Sequence, residues 1–364
     1  MARLIEPSVA AAIARRVAGA TPNVTAASVR ALERELAAAV PLSEKLVAGA
    51  SGISAPPPVR WGVVDRAAWA EANIAGMAAL IEPLARRVGD RLEKLPLPVR
   101  LAQRGIVSAE VGILLGYISR RVLGQYDLLV PETTSHARSL PARRRRAGIP
   151  DGTVLYFVGP NMVETARRHD FVPSEFSLWV ALHEVTHRFQ FAGVPWLRER
   201  FFSLVETYMS SLELDARGLA ARLAGAAREV AARSLPPDQR HPMFLLASPE
   251  QRTTLEELQA LMTVVEGHGN FVMDLVGRRV IPSFGRMRTT FERRRSQPGP
   301  VQRAFNHLIG LEMKLRQYEV GQRFCEDVYR RGGAPAIARL WGSPEELPSL
   351  AELREPESWL RRVA

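Results

Sequence analysis

"SLWVALHEVTHRFQF", residues 177–191, puts two histidines four apart with a glutamate directly after the first. The flanks predict a helix. Ser174 is a candidate N-cap just after Pro173, Phe176, Trp179, Val180 and Leu182 supply a buried side, and Gly193 and Pro195 close the run. Residues four apart on a helix share a face, one turn above each other. His183 and His187 can therefore offer two imidazoles to one tetrahedral cation. Glu184 lies one step round the helix, near such a cation without occupying it. A carboxylate there can take a proton from a metal-bound water and pass it to a leaving amine. The His-Glu-x-x-His spacing thus points to Zn²⁺ held by His183 and His187, with Glu184 as general base.

Two imidazoles leave the metal set incomplete. In metzincins the motif runs on to a glycine and a third histidine. Here Gln190 and Gly193 stand at those positions, which excludes that class. In gluzincins a later helix supplies a glutamate, followed by an aspartate one turn on. "LMTVVEGHGNFVMDLVG", residues 261–277, fits best, with Glu266 as ligand and Asn270 and Asp274 as carboxamide and carboxylate at i+4 and i+8. Asn270 replaces the expected aspartate. His268 competes with Glu266, but on a helix the two point roughly 200° apart, so only one can face the metal. Glu206 and Glu213 are further alternatives. Tyr156, Tyr208 and His268 are candidates to stabilise an oxyanion.

Working outward, "GTVLYFVG", residues 152–159, is the best strand: short, apolar, β-branched and glycine-bounded. Beside an active helix it suits either a free edge that pairs with extended substrate or an internal strand of a small sheet. "QYDLLVP", from Gln125, is a second short strand candidate. Helical spacing is read over residues 1–50 (Val9, Ile13, Val17; Val29, Leu32, Leu36), from Trp61 to about Leu95, over 100–125 (Val111, Leu114, Leu115, Ile118, Val122), at about 196–234 and at about 249–277, with more helices to the end. "PNMVETARRHD", residues 160–170, reads as a short helix or turn. Three prolines, Pro56 to Pro58, cannot sit inside a helix. They divide an N-terminal helical segment and Pro-rich linker (1–60) from a main domain (61–364), with its core at about 150–290 and C-terminal helices over 291–364. The fold class is mainly α (α+β), with the active helix beside a small sheet.

The 364 residues are 46% hydrophobic and 24% charged, a globular composition. No stretch of some 18 uninterrupted apolar residues occurs, so no membrane span is expected. The single cysteine, Cys325, excludes an intramolecular disulfide and a four-cysteine zinc site, and fits a reducing cytoplasm. The net charge of +11 is almost all arginine, since lysine occurs only at 45, 94 and 314. Its densest run, Arg143 to Arg146, lacks interleaved aromatics and any nucleic-acid motif, so no specific nucleic acid is expected as partner. Two other function classes stay in view: a metal-binding or regulatory protein without turnover, and a basic nucleic-acid-binding protein using that run.

Taken in order, "VVDRAAWAEANIAGM" (63–77), "VLGQYDLLVP" (122–131), "HEVTHRFQF" (183–191) and "VVEGHGNFVMD" (264–274) resemble a zincin-like metallopeptidase family found mainly in actinobacteria. Its members are labelled hydrolases, or proteins associated with biosynthesis of a deazaflavin coenzyme. The resemblance covers about residues 60–340. It implies a zincin-like, mostly helical fold, maps His183, Glu184 and His187 onto the metal motif, and favours Glu266 as the remaining ligand. The expected partner is a peptide or protein substrate.

Overall fold

The computed structural model describes residues 4–80, 96–128, 153–211, 247–296 and 311–364. Arg143 to Arg146, Glu213 and the expected helical extension to about residue 234 lie outside them. The described residues are mainly helical, with one three-stranded sheet, and they group into two compact units.

The first unit comprises residues 1–49, 54–193 and 276–287. It holds helices α1 (Pro7–Ala18), α2 (Ala26–Ala50, its last residue outside the unit), α3 (Arg66–Leu80), α4 (Leu97–Ser119), α5 (Gly159–Arg168) and α6 (Pro173–Gly193). The strands are β1 (Arg60–Val64), β2 (Gly124–Tyr126) and β3 (Thr153–Val158), in the order β1-β3-β2. β3 is parallel to β1 and antiparallel to β2, with Gly124 opposite Phe157 and Tyr126 opposite Leu155.

β3 is therefore internal, and the free-edge possibility for it falls. Val154 to Val158 are all buried to within 1% of full burial, as a strand covered on both faces requires. Tyr156 and Val158 meet a core built from α1, α3 and α4, and alternation turns Leu155 and Phe157 to the other face, where α6 lies. β1 also corrects the helical reading from Trp61. "RWGVV" is too short to show a period, and its β-branched end pairs with β3. The helix starts only at Arg66, where Asp65 Oδ1 accepts the Ala68 N–H at 2.7 Å as a cap.

α1 and α4 pack closely through small residues, with Ile13 and Val17 beside the glycines and Leu115 buried in the same core, as the apolar spacing suggests. The buried faces are Ala10, Ala14 and Ala18 against Ser108, Gly112, Gly116 and Ser119. A Cβ on Gly112 would stand 2.6 Å from the Ala10 carbonyl oxygen, and one on Gly116 would stand 2.7 Å from that of Ala14. The backbones are too close for larger residues, so Val9 and Ile113 stay exposed. Gly116→Val should cost about 1–3 kcal/mol by overpacking, read as a lower unfolding midpoint. An unchanged midpoint would contradict this packing. By length and composition alone α4 could cross a membrane; its small-residue face is packed on α1.

A buried polar knot ties three elements of this unit. Arg66 Nε donates to Asn161 Oδ1 at 2.6 Å, and its Nη2 pairs with Glu164 at 2.6 Å. Asn161 Nδ2 donates to the Ser119 and Val122 carbonyls, so the starts of α3 and α5 are held to the end of α4.

The second unit comprises residues 50–53, 194–275 and 288–364. It contains α7 (Leu197–Ser211), most of α8 (Pro249–Val280) and of α9 (Phe284–Ser296), α10 (Leu311–Arg339) and α11 (Pro356–Val363). Ser248 and Gln251 form a reciprocal box at the start of α8: the Gln251 side chain accepts the Ser248 N–H at 2.8 Å, and the Ser248 hydroxyl accepts that of Gln251. Gly333, at φ 65°, breaks α10 two residues before Pro335. Trp359 is wholly buried, edge-on to Phe324, and its Nε1–H donates to the Glu346 carbonyl at 2.7 Å. Cys325 is buried. Desolvation, and then the Glu326 charge, push its thiol well above the usual range.

Candidate metal centre

α6 is buried along most of its length, from Phe176 to Phe191. Such a helix must satisfy its polar groups internally. It begins at Pro173, so Ser174 falls inside the first turn rather than at the N-cap. Thr186 donates to the Leu182 carbonyl at 2.7 Å. Arg188, 1% exposed, pairs with Glu44 at 2.8 Å and donates to the Pro56 and Pro57 carbonyls. These bonds hold the Pro-rich stretch against the helix that carries the motif.

His183 and His187 are half-buried on one face, as the spacing predicts. Their Nε2 atoms lie 3.1 Å apart, with the rings edge-on at 86°. Two nitrogens on one tetrahedral zinc stand roughly 3.3 Å apart, from Zn–N distances of about 2.0–2.1 Å. The pair therefore needs almost no movement to hold a cation. His187 Nδ1 meets Gln190 Oε1 at 2.9 Å. A carbonyl oxygen only accepts, so the proton sits on Nδ1 and leaves the Nε2 lone pair for a metal. Sequence reading used Gln190 only to exclude the metzincin extension. Its position three residues beyond His187, on the same helix face, was the available signal for this role.

His183, His187 and Glu266 are residues of the types that could hold a metal ion. Two imidazole nitrogens and a carboxylate oxygen are a donor set that suits zinc. Glu266 is 5% exposed, on α8. Glu184 is 7% exposed, one step round α6 from His183. Its side chain crosses β2 at Gly124. A Cβ added there would stand 2.6 Å from Glu184 Cγ and 2.9 Å from its carboxyl carbon. Only a residue without a side chain lets the carboxylate lie on that strand.

The other candidates go elsewhere. His268 is fully buried, its Nε2 donating to the Ser51 carbonyl at 3.0 Å and its ring edge-on to Trp341. Asn270 is buried one turn beyond Glu266. Asp274 is held by Arg288 and by Gln322 Nε2. Tyr156 faces α1, α3 and α4, on the opposite side of the sheet from Gly124 and Glu184. Tyr208 packs on Ala247 and Leu255, and desolvation there raises its phenol above the ordinary value. Glu206 is exposed on α7.

A family model described as zincin-like metallopeptidase matches residues 5–360. Among solved structures, the chain is similar to a protein from Chloroflexus aurantiacus described as "a putative hydrolase with a novel fold". The two share 30% sequence identity over 98% of each chain, with a TM-score of 0.68. No curated protein matches the chain. These likenesses carry the family and the word hydrolase; they carry no coenzyme association.

Proposed function

The chain belongs to the zincin-like metallopeptidase family, and from that premise we propose that it is a zinc-dependent peptidase of gluzincin type. His183, His187 and Glu266 hold the metal, and Glu184 is the general base and then the acid. The observation that carries this reading is the His183–His187 pair on one face of α6, with its Nε2 atoms 3.1 Å apart and His187 Nδ1 tied to Gln190, in a chain of this family. When bound, the metal supplies a water whose pKa is near 7 and a Lewis acid for a carbonyl. Glu184 takes up the proton of the attacking water at its carboxylate and returns it to the leaving amine. Gln190 keeps the His187 ring in the tautomer that binds metal. The extended substrate pairs with β2, which ends the sheet among the described residues and lies beside α6. The buried single thiol suits a reducing cytoplasm.

Purified protein should carry about one zinc per chain, as four-coordinate sites with three protein ligands do. His183→Ala should lose it. Chelation should stop cleavage of a mixed peptide library, and added zinc should restore it. Zinc-free, fully folded wild type would end the reading. Zinc-loaded wild type that cleaves nothing would leave a metal-binding protein without turnover.

A further inference from the structure

We propose that the glycine pair Gly267 and Gly321 positions the third ligand, Glu266, by fixing the crossing of α8 and α10. This rests on Glu266 being a ligand. Gly267 directly follows Glu266. A Cβ built on it would stand 2.1 Å from the Gly321 carbonyl carbon, 2.4 Å from Gly321 Cα and 2.6 Å from Gln322 N. A Cβ on Gly321 would stand 2.0 Å from the Thr263 carbonyl oxygen and 2.9 Å from Gly267 Cα. Every obstacle is backbone, so no side-chain rotation relieves it, and a methyl on either residue must drive the helices apart. Neither glycine has a positive φ. Both sit inside helices, where glycine is weaker than alanine, so what glycine supplies here is close approach.

The same turn is held from a second direction. Successive helical residues point about 100° apart. Gly267 is pressed on α10, and His268 is pinned to the Ser51 carbonyl and to Trp341. With those two directions taken, the direction of Glu266 is fixed. Further along, Gln322 Nε2 donates to Asp274 Oδ2 at 3.1 Å, a polar tie between the same two helices. His268, read from sequence as a possible ligand, becomes one of the anchors that aim its neighbour.

The test is zinc affinity of the full chain, measured by competition with a chromogenic chelator, with circular dichroism as the check on folding. Gly321→Ala should bind zinc about 10–100-fold more weakly than wild type, the range for lost outer support of a ligand. Gln322→Ala, which loosens the crossing without overlap, should show a smaller fall. Trp359→Phe, destabilised in the same unit but away from the crossing, should keep wild-type affinity. Folded Gly321→Ala with wild-type affinity would overturn the proposal. If Gly321→Ala fails to fold, Gln322→Ala decides, and unchanged affinity there overturns it. Glu266→Ala separates the two levels: wild-type affinity in that variant removes Glu266 from the ligand set, and the proposal with it.

Discussion

Glu184→Gln should keep the zinc content of wild type and lose about 10²–10⁴-fold in peptide hydrolysis, the usual weight of a positioned acid–base group. The amide has the shape of the carboxylate, so it still fits over Gly124. It cannot accept a proton in the required range. Glu184 is not one of the three ligands proposed, so the metal keeps its donors in this variant. The paired readout matters. His183→Ala should lose metal and activity together, whereas Glu184→Gln should lose activity alone. Parallel loss of zinc in Glu184→Gln would make it a ligand, and undiminished turnover would remove it from the chemistry.

The second large effect is on stability. Arg188→Ala should cost about 3–5 kcal/mol, as removing one partner of a buried pair does. For a chain of this size that is on the order of 10 °C in thermal midpoint. Arg188 is 1% exposed. Its loss leaves Glu44 without its cation and the Pro56 and Pro57 carbonyls without their donor, and it opens a cavity beside the motif helix. Arg188→Met should recover the part of the loss due to volume and none of that due to the polar partners. Thermal unfolding of both variants checks this. A midpoint within a degree or two of wild type for Arg188→Ala would show that the buried pair contributes little.

What could be read beforehand follows periodicity. The shared face of His183 and His187 was legible because an i, i+4 spacing fixes it. The helix that carries Glu266 was legible because its neighbours stand at helical intervals. Arg188 was not. One residue past a motif, in an arginine-rich chain, it looks solvated; only the fold brings Glu44 and the proline carbonyls to it. β1 was missed because five residues show no period, and the internal place of β3 depends on partners distant in sequence. The closeness of the α1–α4 contact was not legible, for a different reason. Large apolar residues carry the usual signal, whereas here glycine and alanine mark the buried stripe.

The sealed Cys325 has a practical consequence. With its thiol buried and held protonated, the wild-type chain offers alkylating and spin-labelling reagents no reactive sulfur. A cysteine introduced at an exposed position, such as Ile106 or Val172, would be the sole site of attachment. Fluorescent or paramagnetic reporters can then follow metal loading and substrate capture against a silent background, with no native residue to remove first.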